Sequence, residues 1–206
     1  MDGTVTRKDV SVLLLEKFAS GNWKQMEEFY HTGEWSLKQT ALEEFKLLKQ
    51  SREVMESYVR EAVELDPDFS KFVGLCGKKG IGVVIASEGL DFYIETVLEM
   101  MGLKGLKYYS DLAAFQEHVL ADVFFPHWNP ECGECGTCKV EIIKKYQEWG
   151  NEVTFIGEGR TDRHAAEFAD KVFAKGLLLE HCNENRIECE EYETFADVIT
   201  RMRLDK

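Results

Sequence analysis

The chain has 206 residues, of which 44% are hydrophobic, and its 25 Lys and Arg against 38 Asp and Glu give a formal charge of -13. This length and apolar content can bury a core and suit one domain with an insertion or two small domains. The acidity, with no cluster of Lys or Arg, argues against a nucleic-acid partner. No apolar stretch reaches the roughly 18 residues that cross a bilayer and no secretory signal is recognisable, so we expect no membrane association and a cytoplasmic location.

Residues 9 to 80 show helical periodicity almost throughout. Asp9, Ser36 and Ser51 are good capping residues ahead of amphipathic stretches. Asp66-Pro67-Asp68 ends this run, and Pro67 is suited to the first turn of a further helix. The predicted helices cover Val10–Ala19, Trp23–Tyr30, Ser36–Gln50 and Ser51–Leu65.

After Gly80 short apolar strands alternate with helices, which predicts an α/β fold with a doubly wound parallel sheet. Residues 112–125 predict strands, a hairpin among the arrangements, although 112–120 also fits a helix. The predicted strands are Ile81–Ala86, Lys107–Tyr109, Val153–Ile156 and Val172–Ala174, and the predicted helices are Asp91–Met101, Val140–Trp149, His164–Asp170 and Phe195–Arg203.

Four motifs in this framework carry groups for phosphate chemistry. Asp2 lies in Met1-Asp2-Gly3-Thr4-Val5-Thr6, and Ser87-Glu88-Gly89 follows an apolar strand and opens a helix, whose first amides would face an anion. Lys139 follows a glycine-rich loop, and Glu158 and Asp162 follow another strand. Ligands of such sheets bind outside the carboxyl ends of the strands. We therefore expect the acid, the hydroxyl, the lysine and the acid pair to serve one site.

This ordered set of motifs resembles the haloacid dehalogenase (HAD) superfamily of phosphatases, whose signature reads Asp-x-Asp-Gly-Thr-x-Thr. Around Ser87 and from Cys135 to Lys139 the sequence is similar to the subgroup that contains the 2-hydroxy-3-keto-5-methylthiopentenyl-1-phosphate phosphatase of methionine salvage. The resemblance implies a Mg²⁺-dependent hydrolase of a small-molecule phosphate ester that works through an aspartyl-phosphate. It also implies a HAD core at residues 1–8 and 75–206 with a helical cap at 9–74.

The resemblance further implies a role for each motif residue. The catalytic residues would be Asp2 and Lys139, the phosphate-binding residues Ser87, Glu88, Gly89 and Lys139, and the Mg²⁺ ligands Asp2, Glu158 and Asp162. Two positions depart from the family pattern, which usually has Asp where this chain has Glu158 and often Gly where it has Glu88. The longer Glu158 would have to reach the metal from a different angle, and a Glu88 carboxylate beside the phosphate would repel it unless it points away.

The first Asp of the family signature, the nucleophile, does not occur in this sequence, where Met1 stands at the x position. We expect the natural protein to begin upstream with an apolar strand that ends in this Asp, because that strand is central in the fold. Intact-mass measurement of the endogenous protein tests this expectation. The alternative is a catalytically inactive relative that binds a phosphorylated metabolite or a protein partner.

Cys132, Cys135 and Cys138 form a C-x2-C-x2-C run. Three thiolates at this spacing can converge on one zinc ion or an iron-sulfur cluster. No fourth ligand has a matching spacing, so a cysteine-rich loop without metal is the other interpretation. The sequence leaves both open.

Overall fold

The computed structural model describes residues 1–206, which form ten α-helices and six β-strands. The helices are α1 (Val10–Phe18), α2 (Lys24–His31), α3 (Leu37–Phe45), α4 (Arg52–Ala62), α5 (Phe69–Lys78), α6 (Asp91–Met100), α7 (Lys139–Glu148), α8 (Arg163–Phe168), α9 (Gly176–Asn185) and α10 (Phe195–Arg201). The strands are β1 (Val84–Leu90), β2 (Lys107–Gln116), β3 (Val119–Phe124), β4 (Thr154–Gly157), β5 (Lys171–Ala174) and β6 (Glu190–Glu191). None of the helices combines the length and the apolar character that crossing a bilayer requires.

The chain divides into two compact units. Unit 1 comprises Met1–Asp2, Lys8–Glu64 and Ile85–Cys138, and unit 2 comprises Gly3–Arg7, Leu65–Val84 and Lys139–Lys206. The chain passes from one unit to the other at the peptide between residues 2 and 3. The first motif therefore contributes residues to both units.

Unit 1 contains α1 to α4, α6 and a three-stranded sheet in the order β1-β2-β3. Strands β2 and β3 form an antiparallel hairpin, with Leu112 opposite Phe124. The helical alternative for 112–120 is wrong, because Glu117 and His118 turn the chain with φ of 48° and 67°. Two successive positive φ angles make the tight turn that the twist of a hairpin favours. Glu and His are unusual there, so the turn had no clear signal in the sequence.

Unit 2 contains α5, α7 to α10 and a parallel sheet in the order β4-β5-β6. Phe155 lies opposite Val172 in the first strand pair and Phe173 opposite Glu190 in the second. Ala166, Ala174 and Leu178 belong to the buried cluster beside this sheet. Parallel pairing requires crossover connections, and α8 and α9 supply them here. The predicted α/β fold with parallel strands is confirmed.

The predicted caps are confirmed, whereas some element bounds differ. The side chains of Asp9, Ser36 and Ser51 each accept a hydrogen bond from the backbone N–H three residues later. The strand predicted at 81–86 instead runs from 84 to 90, because residue 81 is exposed and burial begins at residue 85. Helix α9 was not predicted, since it opens on Gly176, a poor helix former, and carries no clear apolar period.

Candidate functional site

In unit 1 the structure brings together Asp2 and Ser87, two motif residues that are 85 positions apart. The Ser87 hydroxyl donates to Asp2 Oδ2 at 3.3 Å, and the Gly89 N–H donates to the same hydroxyl at 3.1 Å. Asp2 Oδ1 accepts from the N–H of Val10, the first residue of α1, at 2.9 Å. An amide, a hydroxyl and a carboxylate are thus linked in series at the end of β1.

Burial, followed by the charge of Asp9, raises the pKa of the Asp2 carboxyl from 3.8 to about 6, against smaller lowering effects of the N-terminal amino group and of the hydrogen bonds from Val10 and Ser87. A carboxyl with a pKa near 6 populates both its protonated and its ionised form at neutral pH. Both forms are needed by a group that first donates and then accepts a proton. Asp2 therefore has the electrostatic environment of a general acid and base.

Strand geometry separates the three residues of the second motif. Ser87 and Gly89 are buried, whereas Glu88 between them is half-buried. Because side chains alternate along a strand, the Glu88 side chain lies on the face of β1 opposite Ser87 and Gly89. Any contact of Glu88 with a phosphate beside Ser87 would have to come from its backbone N–H.

In unit 2 the structure brings together Lys139 and Asp162. Lys139 Nζ donates to Asp162 Oδ1 at 2.5 Å and to Thr161 Oγ1 at 2.8 Å, and each side chain of the ion pair is 10% exposed. Asp162 Oδ2 accepts from the N–H groups of Glu158 and Gly159, both at 3.0 Å. Burial alone would raise the pKa of Asp162, but the charge and hydrogen bond of Lys139 and the Gly159 amide hold it below its ordinary value. The pair thus fixes a cationic ammonium group at the first residue of α7.

Glu158 lies against Gly3 within the same unit. A Cβ atom added to Gly3 would come within 1.8 Å of Glu158 Oε1, and Gly3 has a φ of 65°. The left-handed backbone favours glycine at this position. The absence of a Cβ atom at Gly3 leaves the space that the Glu158 carboxylate occupies.

The carboxylates differ in how well they suit Mg²⁺, a hard ion that binds oxygen. Lys139 and two amides already occupy three of the roughly four lone-pair positions of Asp162. Asp162 is therefore poorly placed as a direct ligand and well placed to orient Lys139. The Glu158 carboxylate suits the ion better, and Asp2 would contact it through its backbone carbonyl. No three His, Cys, Asp or Glu side chains are arranged as a ready-made metal site.

The cysteine run has a structural anchor and shows no metal-binding arrangement. Cys132 is exposed and Cys138 is buried, and none of the cysteines forms a disulfide. The buried Thr137 hydroxyl donates to Asp111 Oδ1 at 3.0 Å, which ties this loop to β2. The Cys138 N–H donates to the carbonyl of His127 at 2.9 Å. These contacts favour the interpretation as a packed loop that leads into Lys139.

The sequence interpretation gave no role to two residues that the structure places against the motifs. Thr161 accepts one hydrogen bond from Lys139. In the sequence, only its position next to Asp162 indicated that it could belong to the site. The Tyr93 hydroxyl lies against Gly89. Its signal would have been its place in the first turn of the helix that follows the second motif.

Comparison with known proteins decides the family. The pattern of the haloacid dehalogenase-like hydrolases matches residues 1–167, a range that contains all four motifs. The chain belongs to this family. The resemblance inferred from the ordered motifs is thereby confirmed, and the HAD fold accounts for the parallel strands and the helices between them.

Curated relatives and solved structures of HAD proteins agree with this assignment. The chain is similar to the 2-hydroxy-3-keto-5-methylthiopentenyl-1-phosphate phosphatases of Bacillus pumilus (30% identity, 96% of this chain and 86% of the relative) and Brevibacillus brevis (31% identity, 96% and 90%). Its fold is similar to that of a substrate-bound phosphoserine phosphatase, with a TM-score of 0.71 at 17% identity over 98% of this chain and 94% of the other. A HAD-family hydrolase from Salmonella enterica serovar Typhi gives a TM-score of 0.77 at 16% identity, over 97% and 67%.

Proposed function

We propose that this HAD-family hydrolase is a Mg²⁺-dependent phosphatase of a small-molecule phosphate monoester. The observation that carries the proposal is the hydrogen bond between Asp2 and Ser87, which joins the predicted acid to the predicted phosphate-binding hydroxyl. The relatives in Bacillus pumilus and Brevibacillus brevis are named for 2-hydroxy-3-keto-5-methylthiopentenyl-1-phosphate. That enolphosphate, an intermediate of methionine salvage, is therefore the first substrate we propose.

Asp2 is proposed as the proton-transfer group. In its protonated form, which a pKa near 6 keeps accessible, the carboxyl gives its proton to the oxygen of the leaving alcohol. The phosphoryl group would pass to the nucleophilic carboxylate that the family signature places two positions before Asp2, and the resulting Asp2 carboxylate would then take a proton from the water that attacks this aspartyl-phosphate. A group that releases and regains a proton in every turnover works best when its pKa is close to the working pH. The pKa of Asp2, about 6, meets this condition.

Ser87, Gly89 and Lys139 are proposed to bind the phosphoryl group. The Ser87 hydroxyl, which accepts from the Gly89 N–H, lies near the end of β1 and the N-terminus of α6, and it would donate to the phosphoryl group in place of Asp2. Lys139 supplies positive charge that Asp162 orients, in a chain whose net charge of -13 repels phosphate. The Glu158 carboxylate and the backbone carbonyl of Asp2 would hold Mg²⁺, which when bound neutralises the charge of the phosphoryl oxygens.

Phosphate release from a panel of phosphate esters, with and without Mg²⁺, tests the proposal. We expect Mg²⁺-dependent turnover with the methylthiopentenyl enolphosphate as the best substrate. Asp2→Asn should lower kcat by at least about 100-fold, the usual contribution of a general acid or base. Asp122→Asn, an equal change of charge at an exposed residue of β3, should leave kcat unchanged. Equal activity of the Asp2 variant and the parent protein would refute the role of Asp2.

The family signature places its nucleophilic Asp two positions before Asp2, so the assay needs two forms of the protein. One form is the chain of 206 residues, and the other carries an added apolar strand that ends in Asp-x ahead of Asp2. Turnover by either form supports a phosphatase. If neither form releases phosphate while both bind a phosphorylated metabolite, the alternative of an inactive binding protein replaces the proposal.

A further inference from the structure

Tyr93 is a fully buried residue of unit 1 whose hydroxyl lies at the second motif. Its exposed fraction is 0%, and it occupies the first turn of α6, three residues after the Leu90 cap. Side chains of helical residues lean toward the N-terminus of their helix. The Tyr93 side chain accordingly reaches back to Gly89, where a Cβ atom would lie 2.1 Å from the Tyr93 hydroxyl oxygen. Only a glycine leaves room for the hydroxyl at this place.

No protein group forms a hydrogen bond of good geometry with the Tyr93 hydroxyl. The Leu90 N–H lies close enough to lower the pKa of Tyr93 as a hydrogen-bond donor to its oxygen, so the proton of the hydroxyl is the part that has no acceptor. Burying a hydroxyl without a partner is unfavourable, since the group loses its hydrogen bonds to water. A phenylalanine would fill the same space without this cost. Packing alone therefore does not explain a tyrosine at this position.

The charges around Tyr93 make its hydroxyl a hydrogen-bond donor. Burial raises the pKa of Tyr93 well above its ordinary value, and the carboxylates of Asp2, Asp9 and Asp111 raise it further. The phenol therefore keeps its proton at any pH at which the protein works. A neutral donor that lies against Gly89 complements an oxygen-rich anion without adding negative charge.

We propose that the Tyr93 hydroxyl donates a hydrogen bond to an oxygen of the phosphate group that binds at Ser87 and Gly89. The inference rests on the proposed function for the identity of the ligand as a phosphate. It adds a donor from α6 to the donors at the end of β1. It also explains why the proton of a buried hydroxyl that lies against Gly89 has no protein acceptor.

Calorimetric titration with inorganic phosphate tests this role directly. The proteins are the parent chain, Tyr93→Phe and the control Tyr108→Phe, whose hydroxyl is half-buried and donates to Glu95 Oε1 at 2.8 Å. We expect the Kd for phosphate to rise at least about fivefold in Tyr93→Phe, the effect of losing about 1 kcal/mol of hydrogen bonding. The Kd should be unchanged in Tyr108→Phe.

The thermal midpoint of Tyr93→Phe separates binding from structure. We expect a midpoint equal to or above that of the parent protein, because the variant removes a buried hydroxyl that has no partner. A Kd equal to that of the parent overturns the inference. So does a variant that fails to fold, since the hydroxyl would then have a structural partner, and so does a parent chain that binds no phosphate.

The outcome is distinguishable from a failure of the proposed function. In one outcome the parent protein hydrolyses no phosphate ester, while Tyr93→Phe still binds phosphate more weakly than the parent. This result would refute the proposed phosphatase activity but support Tyr93 as an anion-binding residue. Where turnover occurs, Tyr93→Phe should raise KM more than it lowers kcat if the bond forms already with the bound substrate.

Discussion

At the scale of single residues, the ion pair of Lys139 and Asp162 shows how the chain keeps two charges buried. Lys139→Met should lower the free energy of unfolding by about 3 kcal/mol, because it leaves the Asp162 carboxylate buried without its cation. The double variant Lys139→Met and Asp162→Asn should recover part of this loss. Urea unfolding of the parent protein and the two variants measures both effects.

The control for this cycle is Lys144→Met, which breaks the exposed pair with Glu141 on the same helix. It should cost less than about 0.5 kcal/mol, the usual value of an exposed pair. A Lys139 variant that is no less stable than the Lys144 variant would show that the buried pair contributes nothing to folding.

Gly3 allows a second prediction at this scale, because Gly33 provides a matched control. Both have left-handed backbones, with φ of 65° and 78°, but only Gly3 has a neighbour within 4 Å of an added Cβ, the Glu158 carboxyl. Alanine at either position should cost about 1 kcal/mol from the backbone strain. The end of a glutamate side chain can move aside, so the two stability losses should be similar.

Function should separate the two variants. Gly3→Ala displaces the proposed Mg²⁺ ligand Glu158 and should raise the Mg²⁺ concentration needed for half-maximal activity severalfold. Gly33→Ala should leave that concentration unchanged. Identical Mg²⁺ dependence in both variants would argue against Glu158 as a ligand.

At the scale of elements, Asp66 fixes the starts of two helices in unit 2. Its Oδ1 accepts from the Asp68 N–H at 2.9 Å, ahead of α5, and its Oδ2 accepts from the Phe195 N–H at 3.3 Å, the first residue of α10. The rings of Phe69 and Phe72 pack on Phe195 at 4.8 and 4.9 Å between centroids. One buried carboxylate and three rings thus hold the two helices together.

Asp66→Ala should therefore destabilise the protein by about 2 to 3 kcal/mol, since it leaves two amides without acceptors. Asp66→Asn keeps one oxygen acceptor and should cost less. Ser51→Ala removes an ordinary exposed cap of α4 and should cost about 1 kcal/mol. Chemical unfolding compares the three, and a loss in Asp66→Ala no larger than that in Ser51→Ala would contradict the double role.

These elements show what the sequence could predict. Helix starts at Asp9, Ser36 and Ser51 were predictable because a cap acts on amides within three residues of itself. The hydrogen bond from Phe195 to Asp66 spans 129 positions, and local patterns carry no information about such contacts. For the same reason Asp66 was predicted only as the end of a helical run.

The candidate site follows the same rule. The acids, Ser87 and Lys139 were predictable because the order of four motifs identifies the family even without geometry. Sequence reasoning could not assign the environment of each group. Ion pairing makes Asp162 an anchor for Lys139, and the alternation of β1 turns the Glu88 side chain away from Ser87. Tyr93 was missed because its place against Gly89 depends on how β1 meets α6.

At the scale of the whole molecule, the chain has an excess of acidic residues, and two carboxyl groups of unit 1 lie in surroundings that disfavour their ionised form. Burial, together with the charges of Glu27 and Asp9, raises the pKa of Glu44 from 4.5 to about 8. Burial and the charge of Asp9 also raise the pKa of Asp2 to about 6. Both groups favour the folded state most when they are protonated. The protein should thus lose stability as the pH rises from weakly acidic to weakly alkaline values.

Glu44→Gln tests this dependence, because the amide resembles the protonated carboxyl and does not ionise. Below about pH 4.5 Glu44 is protonated in both the folded and the unfolded chain, so the two proteins should be equally stable. Between pH 4.5 and about 8 the unfolded chain loses this proton while the folded protein keeps it, which lowers the stability of the parent protein. The advantage of the variant should reach a few kcal/mol at pH 8. Glu43→Gln, the same change of charge at the exposed neighbour paired with Lys46, should show no such growth. Urea unfolding at pH 5, 6.5 and 8 measures the difference. A Glu44→Gln advantage that is constant across this range would show that the pKa of Glu44 is the same in the folded and the unfolded protein, which contradicts the effect of its burial.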